Sequence, residues 1–199
     1  MTVNIGDIVG LLGRNGSGKS TLLKIIYGTL EAESKYIKIG QNIYDKIYKH
    51  KNLMNILPQN NFLPKYLKVK DVIELYYNNE NINYFEKDKI MENIINTRIR
   101  NLSGGELRYF EFKLLINMES KYLLLDEPFS GVSPIMIEEI KSVIKEKSLN
   151  KGFIMTDHDY RNILSVSNRI FILFNGYLKE INNKLDLIKY GYIVNEEVH

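Results

Sequence analysis

The sequence predicts an α/β fold, with a largely parallel sheet, helices against it and a helical segment inserted partway along the chain. Three observations carry that prediction. An apolar run, Ile8–Leu12, leads into a glycine-rich loop and then a second apolar run, Leu22–Tyr27, which reads as strand, loop and helix. Tyr122–Leu125 and Phe153–Thr156 are short and continuously apolar, as strands buried on both faces must be. Between Leu67 and about Met118 the apolar residues recur at helical rather than strand spacing, so strands and helices alternate around a helical insertion.

Taken in order, Met1–Val3 reads as a short strand and Asn4–Asp7 as the turn into Ile8–Leu12. After the first helix, Lys35–Ile39 alternates polar and apolar residues like a strand at a sheet edge, and Gly40-Gln41-Asn42 reads as a turn. Leu53–Leu57 is a short apolar run ending at Pro58-Gln59. Val69, Val72, Ile73, Tyr76 and Tyr77 share a helical face, as do Ile90, Ile94 and Ile95, with polar Asn78–Asn83 as a surface loop between them. A third helix is predicted from near Gly104 through Phe110, Leu114 and Leu115, and Ile135–Glu146 is amphipathic. Arg169–Phe174 and Tyr177–Ile181 flank Asn175-Gly176, a hairpin signal, and Asp186–Tyr190 reads as a short closing helix.

Composition narrows the chemistry. The 199 residues suit one large domain, and 44% hydrophobic with 26% charged residues is ordinary for a chain with a packed core. A net charge of +3 is too slight to point to nucleic acid, and none is expected as a partner. With no cysteine, disulfides, zinc thiolates and thiol catalysis are excluded. No apolar run approaches the ~20 residues of a membrane span, and MTVNIGD does not read as a signal peptide. A cytoplasmic protein is expected, reaching any membrane through a partner.

The loop Gly13-Arg14-Asn15-Gly16-Ser17-Gly18-Lys19-Ser20-Thr21 fits G-x-x-x-x-G-K-[ST], with Gly13, Gly18, Lys19 and Ser20 at the fixed positions. Glycines let the backbone aim several N–H groups at one anion, and the following helix adds its positive end. Lys19 would reach the β- and γ-phosphates of a nucleotide, and Ser20 would join Mg²⁺. A bare glycine turn is the bland alternative, and the strand–loop–helix context argues against it. Asp126, closing the buried strand Tyr122–Leu125, is placed for the metal, and Glu127 for a general base on water. Leu102-Ser103-Gly104-Gly105-Glu106 opens a helix about twenty residues earlier; alone it would be no more than a helix start.

With that stretch the chain resembles the ATP-binding cassette ATPases, whose signature reads LSGGQ or a close variant. Gln59 stands where that family has its Q-loop, and His158 in Thr156-Asp157-His158-Asp159 where it has its switch histidine. His50 and His199 read as structural. The resemblance covers nearly the whole chain. It implies a P-loop NTPase core of cassette type across residues 1–199, with a helical signature subdomain over about 67–118 and a shortened N-terminal antiparallel β subdomain. It also implies a head-to-tail pair of cassettes, as a homodimer or with a related subunit, with Ser103, Gly104, Gly105 and Glu106 of one contacting ATP in the P-loop of the other. Gln59 would touch Mg²⁺ or water, His158 would help place water against Glu127, and separately encoded membrane permease subunits would be the transport partners. The stretches LSGGELRYFEFKLL, LLLDEPFSGVSPIMIEEIK and TDHDYRNILSVSNRIFILFNG resemble the lipopolysaccharide-export branch of the family.

Three positions depart from the family pattern. Family members carry an aromatic residue for adenine on a strand ahead of the P-loop strand, whereas Met1–Asp7 contains none. Losing one such stack would weaken base binding by about 1–3 kcal/mol. Ser133 stands where the loop after Asp-Glu normally ends in Asp, which removes a charge from the expected route between subunits. Glu106 replaces the commoner Gln. The leading expectation is an ATP hydrolase that powers transport; a non-transport cassette ATPase, or a module that dimerises on ATP with slow turnover, are the competing ones.

Overall fold

The computed structural model describes residues 1–77, 85, 87–181 and 184–191. Its centre is a six-stranded sheet in the order β4-β5-β6-β1-β7-β8. The strands are β1 (Ile8–Leu12), β4 (Met54–Leu57), β5 (Tyr122–Asp126), β6 (Gly152–Thr156), β7 (Arg169–Phe174) and β8 (Tyr177–Ile181). β4, β5, β6, β1 and β7 run parallel, and β8 turns back antiparallel on β7 through Asn175-Gly176. β1 and β6 are buried along their whole length, as their apolar sequences require.

The helices are α1 (Lys19–Tyr27), α2 (Val69–Tyr76), α3 (Lys89–Ile94), α4 (Gly104–Ile116), α5 (Pro134–Lys147), α6 (Tyr160–Val166) and α7 (Lys184–Lys189). They divide the core in two. One cluster joins Ile8, Leu12, Leu123, Leu125, Phe153 and Met155 to residues of α2, α4, α5 and α6. The other joins Val9, Leu11, Leu124 and Ile154 to Leu23 on α1, with Leu22 and Ile26 packed against it. Alternate side chains of each central strand thus feed opposite layers, the arrangement that buries a parallel sheet.

Several sequence expectations need correction. Met1–Val3 forms no strand. Its backbone finds another partner, as Arg169 donates to the Thr2 carbonyl at 2.7 Å; the turn that follows closes as Asp7 N donates to Asn4 O at 3.1 Å and is tied down as Gly6 N donates to Lys151 O at 3.2 Å. The edge strand expected over Lys35–Ile39 shrinks to β2 (Lys38–Ile39), paired with β3 (Asn42–Ile43) around Gly40-Gln41. Lys35 instead forms an ion pair with Asp45 at 2.9 Å. Asn42, read as part of the turn, belongs to β3. The closing helix starts at Lys184 rather than Asp186, and the loop expected at Asn78–Asn83 lies outside the described residues. α2, α3 and α4 lie between β4 and β5 in the chain, where the helical insertion was expected.

The parallel order sets the site. β1, β5 and β6 are adjacent and end on one side of the sheet, so the loops after Leu12, Asp126 and Thr156 come together. In open α/β sheets that is where ligands bind.

Candidate functional site

The loop between β1 and α1 turns on glycines in left-handed backbone, Gly16 at φ 77° and Gly18 at φ 98°. Gly18 is the N-cap of α1, no side chain caps that helix, and its first turn holds no acidic residue. Its leading N–H groups are therefore left to an anion. Lys19, only 8% exposed, curls back so that Nζ donates to Gly13 O at 2.6 Å and Arg14 O at 3.3 Å. Burial lowers its pKa, against the opposing pull of Glu127, Asp126 and Asp157. That positive charge is held beside the loop, among carboxylates. Ser17 N donates to Arg14 O at 3.0 Å and closes the turn, while Thr21 is exposed on the first turn of α1.

Ser20 Oγ donates to Asp126 Oδ1 at 2.9 Å, linking α1 to the end of β5. Asp126 is 1% exposed, and its Oδ2 has no hydrogen-bond partner among the described residues. Burial raises its pKa, partly offset by the Ser20 hydroxyl. A buried carboxylate oxygen left unsatisfied beside a hydroxyl is an arrangement that a hard divalent cation completes. Among the described residues no three His, Asp or Glu side chains form a self-sufficient metal cluster. The donor set thus suits a cation that takes its remaining ligands from phosphate and water.

Glu127 follows in left-handed backbone at φ 58°, uncommon for a residue with a side chain. Its N–H donates to Thr156 O at 2.8 Å, tying β5 to β6. Its Oε1 accepts from Gln59 Nε2 at 3.0 Å and lies 2.8 Å from His158 Nε2. The other ring nitrogen of His158 lies 3.1 Å from Asn15 Oδ1, so the imidazole bridges the glycine loop and Glu127. Asp157 supports this corner by accepting from Phe129 N at 3.1 Å and Asp159 N at 3.0 Å.

The structure therefore gathers Asn15, Lys19, Ser20, Gln59, Asp126, Glu127 and His158 around the glycine loop. It does not bring Ser103–Glu106 into that group. Ser103 caps α4: its Oγ accepts from Glu106 N at 3.2 Å, and its N–H donates to Glu106 Oε2 at 2.8 Å, a reciprocal capping box. A Cβ on Gly105 would stand 2.6 Å from Gly131 O, so this glycine is needed for packing within the chain. A Cβ on Gly104 would meet nothing within 4 Å. Ser133, the departure noted above, caps α5 by accepting from Met136 N at 3.4 Å, with Pro134 as the first helical residue.

Sequence reasoning missed Arg108 and Glu111, which α4 buries directly behind this group. The signal was present as charges one turn apart set among the large apolar residues of a helix that is buried almost throughout. Beside the loop on its other flank, a hollow of about 370 Å³ is lined by Arg14, Asn15, Ser17, Leu173, Phe174 and Tyr190. Aromatic surface near the phosphate loop thus comes from the β7–β8 hairpin and the end of α7.

Fold and site together define a P-loop nucleotide-binding ATPase. The family model for ABC transporters matches residues 1–130. The lipopolysaccharide export system ATP-binding protein LptB of Escherichia coli K12 is 31% identical over 192 residues, covering 89% of this chain and 80% of its own length. The Haemophilus influenzae protein of that name is 33% identical over 190 residues, covering 88% and 79%. A solved ATP-binding subunit of an ABC transporter superposes with a TM-score of 0.83 at 20% identity, over 96% of this chain and 85% of that one. A dimeric ATP-binding cassette in a post-hydrolysis state with ADP and Pi gives 0.76 at 19% identity, over 92% and 89%. The chain belongs to the ABC transporter family, as an ATP-binding and ATP-hydrolysing cassette near the LptB branch.

Proposed function

We propose that two cassettes close head to tail on ATP, that Glu127 activates water for attack on the γ-phosphate, and that the cycle drives separately encoded permease subunits. The carrying observation is that the Glu127 carboxylate is held between Gln59 and His158 beside the glycine loop. The loop N–H groups from Gly13 to Thr21 and the positive end of α1 bind the phosphates. Lys19 exchanges its carbonyl partners for β- and γ-phosphate oxygens. Ser20 and Gln59, with Asp126, would hold Mg²⁺, which when bound would neutralise charge developing on those oxygens. Glu127 takes a proton from water as the O–P bond forms and ADP departs, and His158 orients that water and the γ-phosphate.

Ser103, Gly104, Gly105 and Glu106 face the ATP of the second cassette. Open space at Gly104 supports this, because nothing among the described residues requires a glycine there. The dimeric cassette carrying ADP and Pi is a structural precedent for the pairing. Residues 1–199 act as one cassette domain, with the helical lobe of about 67–118 presenting the signature. No helix among the described residues is long and apolar enough to cross a membrane. In this reading the permease partners hold the cassette at the cytoplasmic face, and the export system named for its LptB relatives supports the transport role.

Glu127→Gln tests the reading. Turnover should fall by about 10²–10⁴-fold while ATP binding persists. Phosphate release at the wild-type rate would remove Glu127 as the base.

A further inference from the structure

Arg108 and Glu111 stand one turn apart on α4 and are 3% and 0% exposed. A buried guanidinium and a buried carboxylate are costly unless fixed partners meet them. The partners here are mostly backbone atoms of the segments that carry the reaction. Arg108 Nη1 donates to Pro58 O at 2.6 Å. Arg108 Nε and Nη2 donate to Glu127 O at 3.2 and 3.1 Å, and Nη2 also donates to Asp126 O. Glu111 Oε1 accepts from Phe62 N at 2.8 Å, and its Oε2 lies 3.7 Å from Arg108 Nη1. One helical turn therefore grips the chain on both sides of Gln59, at Pro58 and Phe62, and grips the peptide of the base as well.

We propose that Arg108 and Glu111 are positioning residues for hydrolysis, holding the Gln59 amide and the Glu127 carboxylate in mutual register and tying both to the helix that bears Ser103–Glu106. Glu127 needs such a hold, because its left-handed backbone persists only where neighbours over-determine it. Thr156 O fixes its N–H, and Arg108 fixes its carbonyl. Three guanidinium nitrogens reach carbonyls on two separate segments, which a lysine ammonium cannot span. Glu111 completes the grip by accepting from the far side of the Gln59 turn. Burial of Glu111 raises its pKa, and the Phe62 amide and Arg108 oppose that rise. The inference rests on Glu127 acting as the base.

The test is steady-state ATP hydrolysis by the full chain carrying Arg108→Lys or Glu111→Gln, each alone and combined with Glu127→Gln. Arg108→Lys should lower kcat by about 10- to 100-fold and leave KM for ATP within about twofold, because misplacement harms the reacting geometry more than phosphate binding. Glu111→Gln keeps an acceptor for Phe62 N and should lose less. Each should reduce the residual rate of Glu127→Gln by less than it reduces the wild-type rate, since part of its effect passes through that carboxylate. A folded Arg108→Lys protein with wild-type kcat overturns the inference, as does an equal loss with and without Glu127→Gln. If Arg108→Lys does not fold, Glu111→Gln is held to the same criteria. A Glu127→Gln protein with wild-type turnover would instead overturn the assignment of the base, and the inference with it.

Discussion

Asp126 carries a cost that the fold bears for the site. Its carboxylate is buried, one oxygen is unsatisfied, and burial lifts its pKa above the unfolded value. Asp157 and Glu111 are raised for the same first reason. A group with a raised folded pKa binds more protons folded than unfolded as the pH falls. Its stabilising contribution is complete below the unfolded value near 4 and is lost as the pH rises through the folded pKa. At neutral pH these carboxylates therefore weigh against folding. Asp126→Asn should stabilise the chain at pH 7 by about 1 kcal/mol and abolish turnover, the usual trade at an active site. The gain should shrink between pH 7 and 4, measured as the difference in Tm from wild type; a constant difference would show that the charge is not its source. Residues that belong to short motifs were legible in the sequence as a group, and Gln59 and His158 do meet at Glu127 beside Asp126. Arg108 and Glu111 were not, because their partners are backbone atoms of segments far away in the chain. Only the folded sheet brings those atoms behind α4.

At the scale of elements, reading was easiest where one physical requirement dominated. β5 and β6 are continuous apolar runs because both faces are covered, and the Asn175-Gly176 turn sets the β7–β8 register. Strand length in the small β2–β3 sheet was harder to read, since alternation in Lys35–Ile39 competes with the Lys35–Asp45 ion pair. The start of α4 shows how a motif residue can serve local structure. Glu106 completes the capping box, and Gln at that position can make the same contact. Glu106→Gln should thus leave thermal stability within a few tenths of a kcal/mol. Ser103→Ala removes the acceptor for Glu106 N and should cost about 1 kcal/mol. Chemical denaturation of both variants without nucleotide checks this, and a larger loss for Glu106→Gln would mean that the carboxylate charge matters more than the cap. Ser133 caps α5 through Met136 N, so its departure from the family pattern leaves the start of α5 intact.

The whole molecule has two faces around one glycine loop. Within the chain Gln59, Asp126, Glu127 and His158 already stand beside the glycine loop, while among the described residues Ser103–Glu106 bond to one another and not to it. Gly104 separates stability from function most cleanly. Its backbone does not need a positive φ, and a Cβ would enter open space, so Gly104→Ala should strengthen α4 by up to about 1 kcal/mol. In the closed pair the same Cβ would stand where the second cassette's ATP must approach the helix start. The Gly104→Ala protein should therefore melt at the same temperature as wild type or higher, bind ATP to its own loop, and fail to dimerise on ATP in a Glu127→Gln background where hydrolysis cannot reopen the pair. Sedimentation with and without ATP measures the pairing, and phosphate release in the Glu127-containing protein measures the turnover. Gly105→Ala is the contrasting case, since its Cβ would press on Gly131 O and should lower stability before any partner is present. Loss of pairing with Gly104→Ala at undiminished stability would place the glycine's purpose in the second molecule; wild-type pairing would separate the signature from the nucleotide and return Ser103–Glu106 to the role of a helix start.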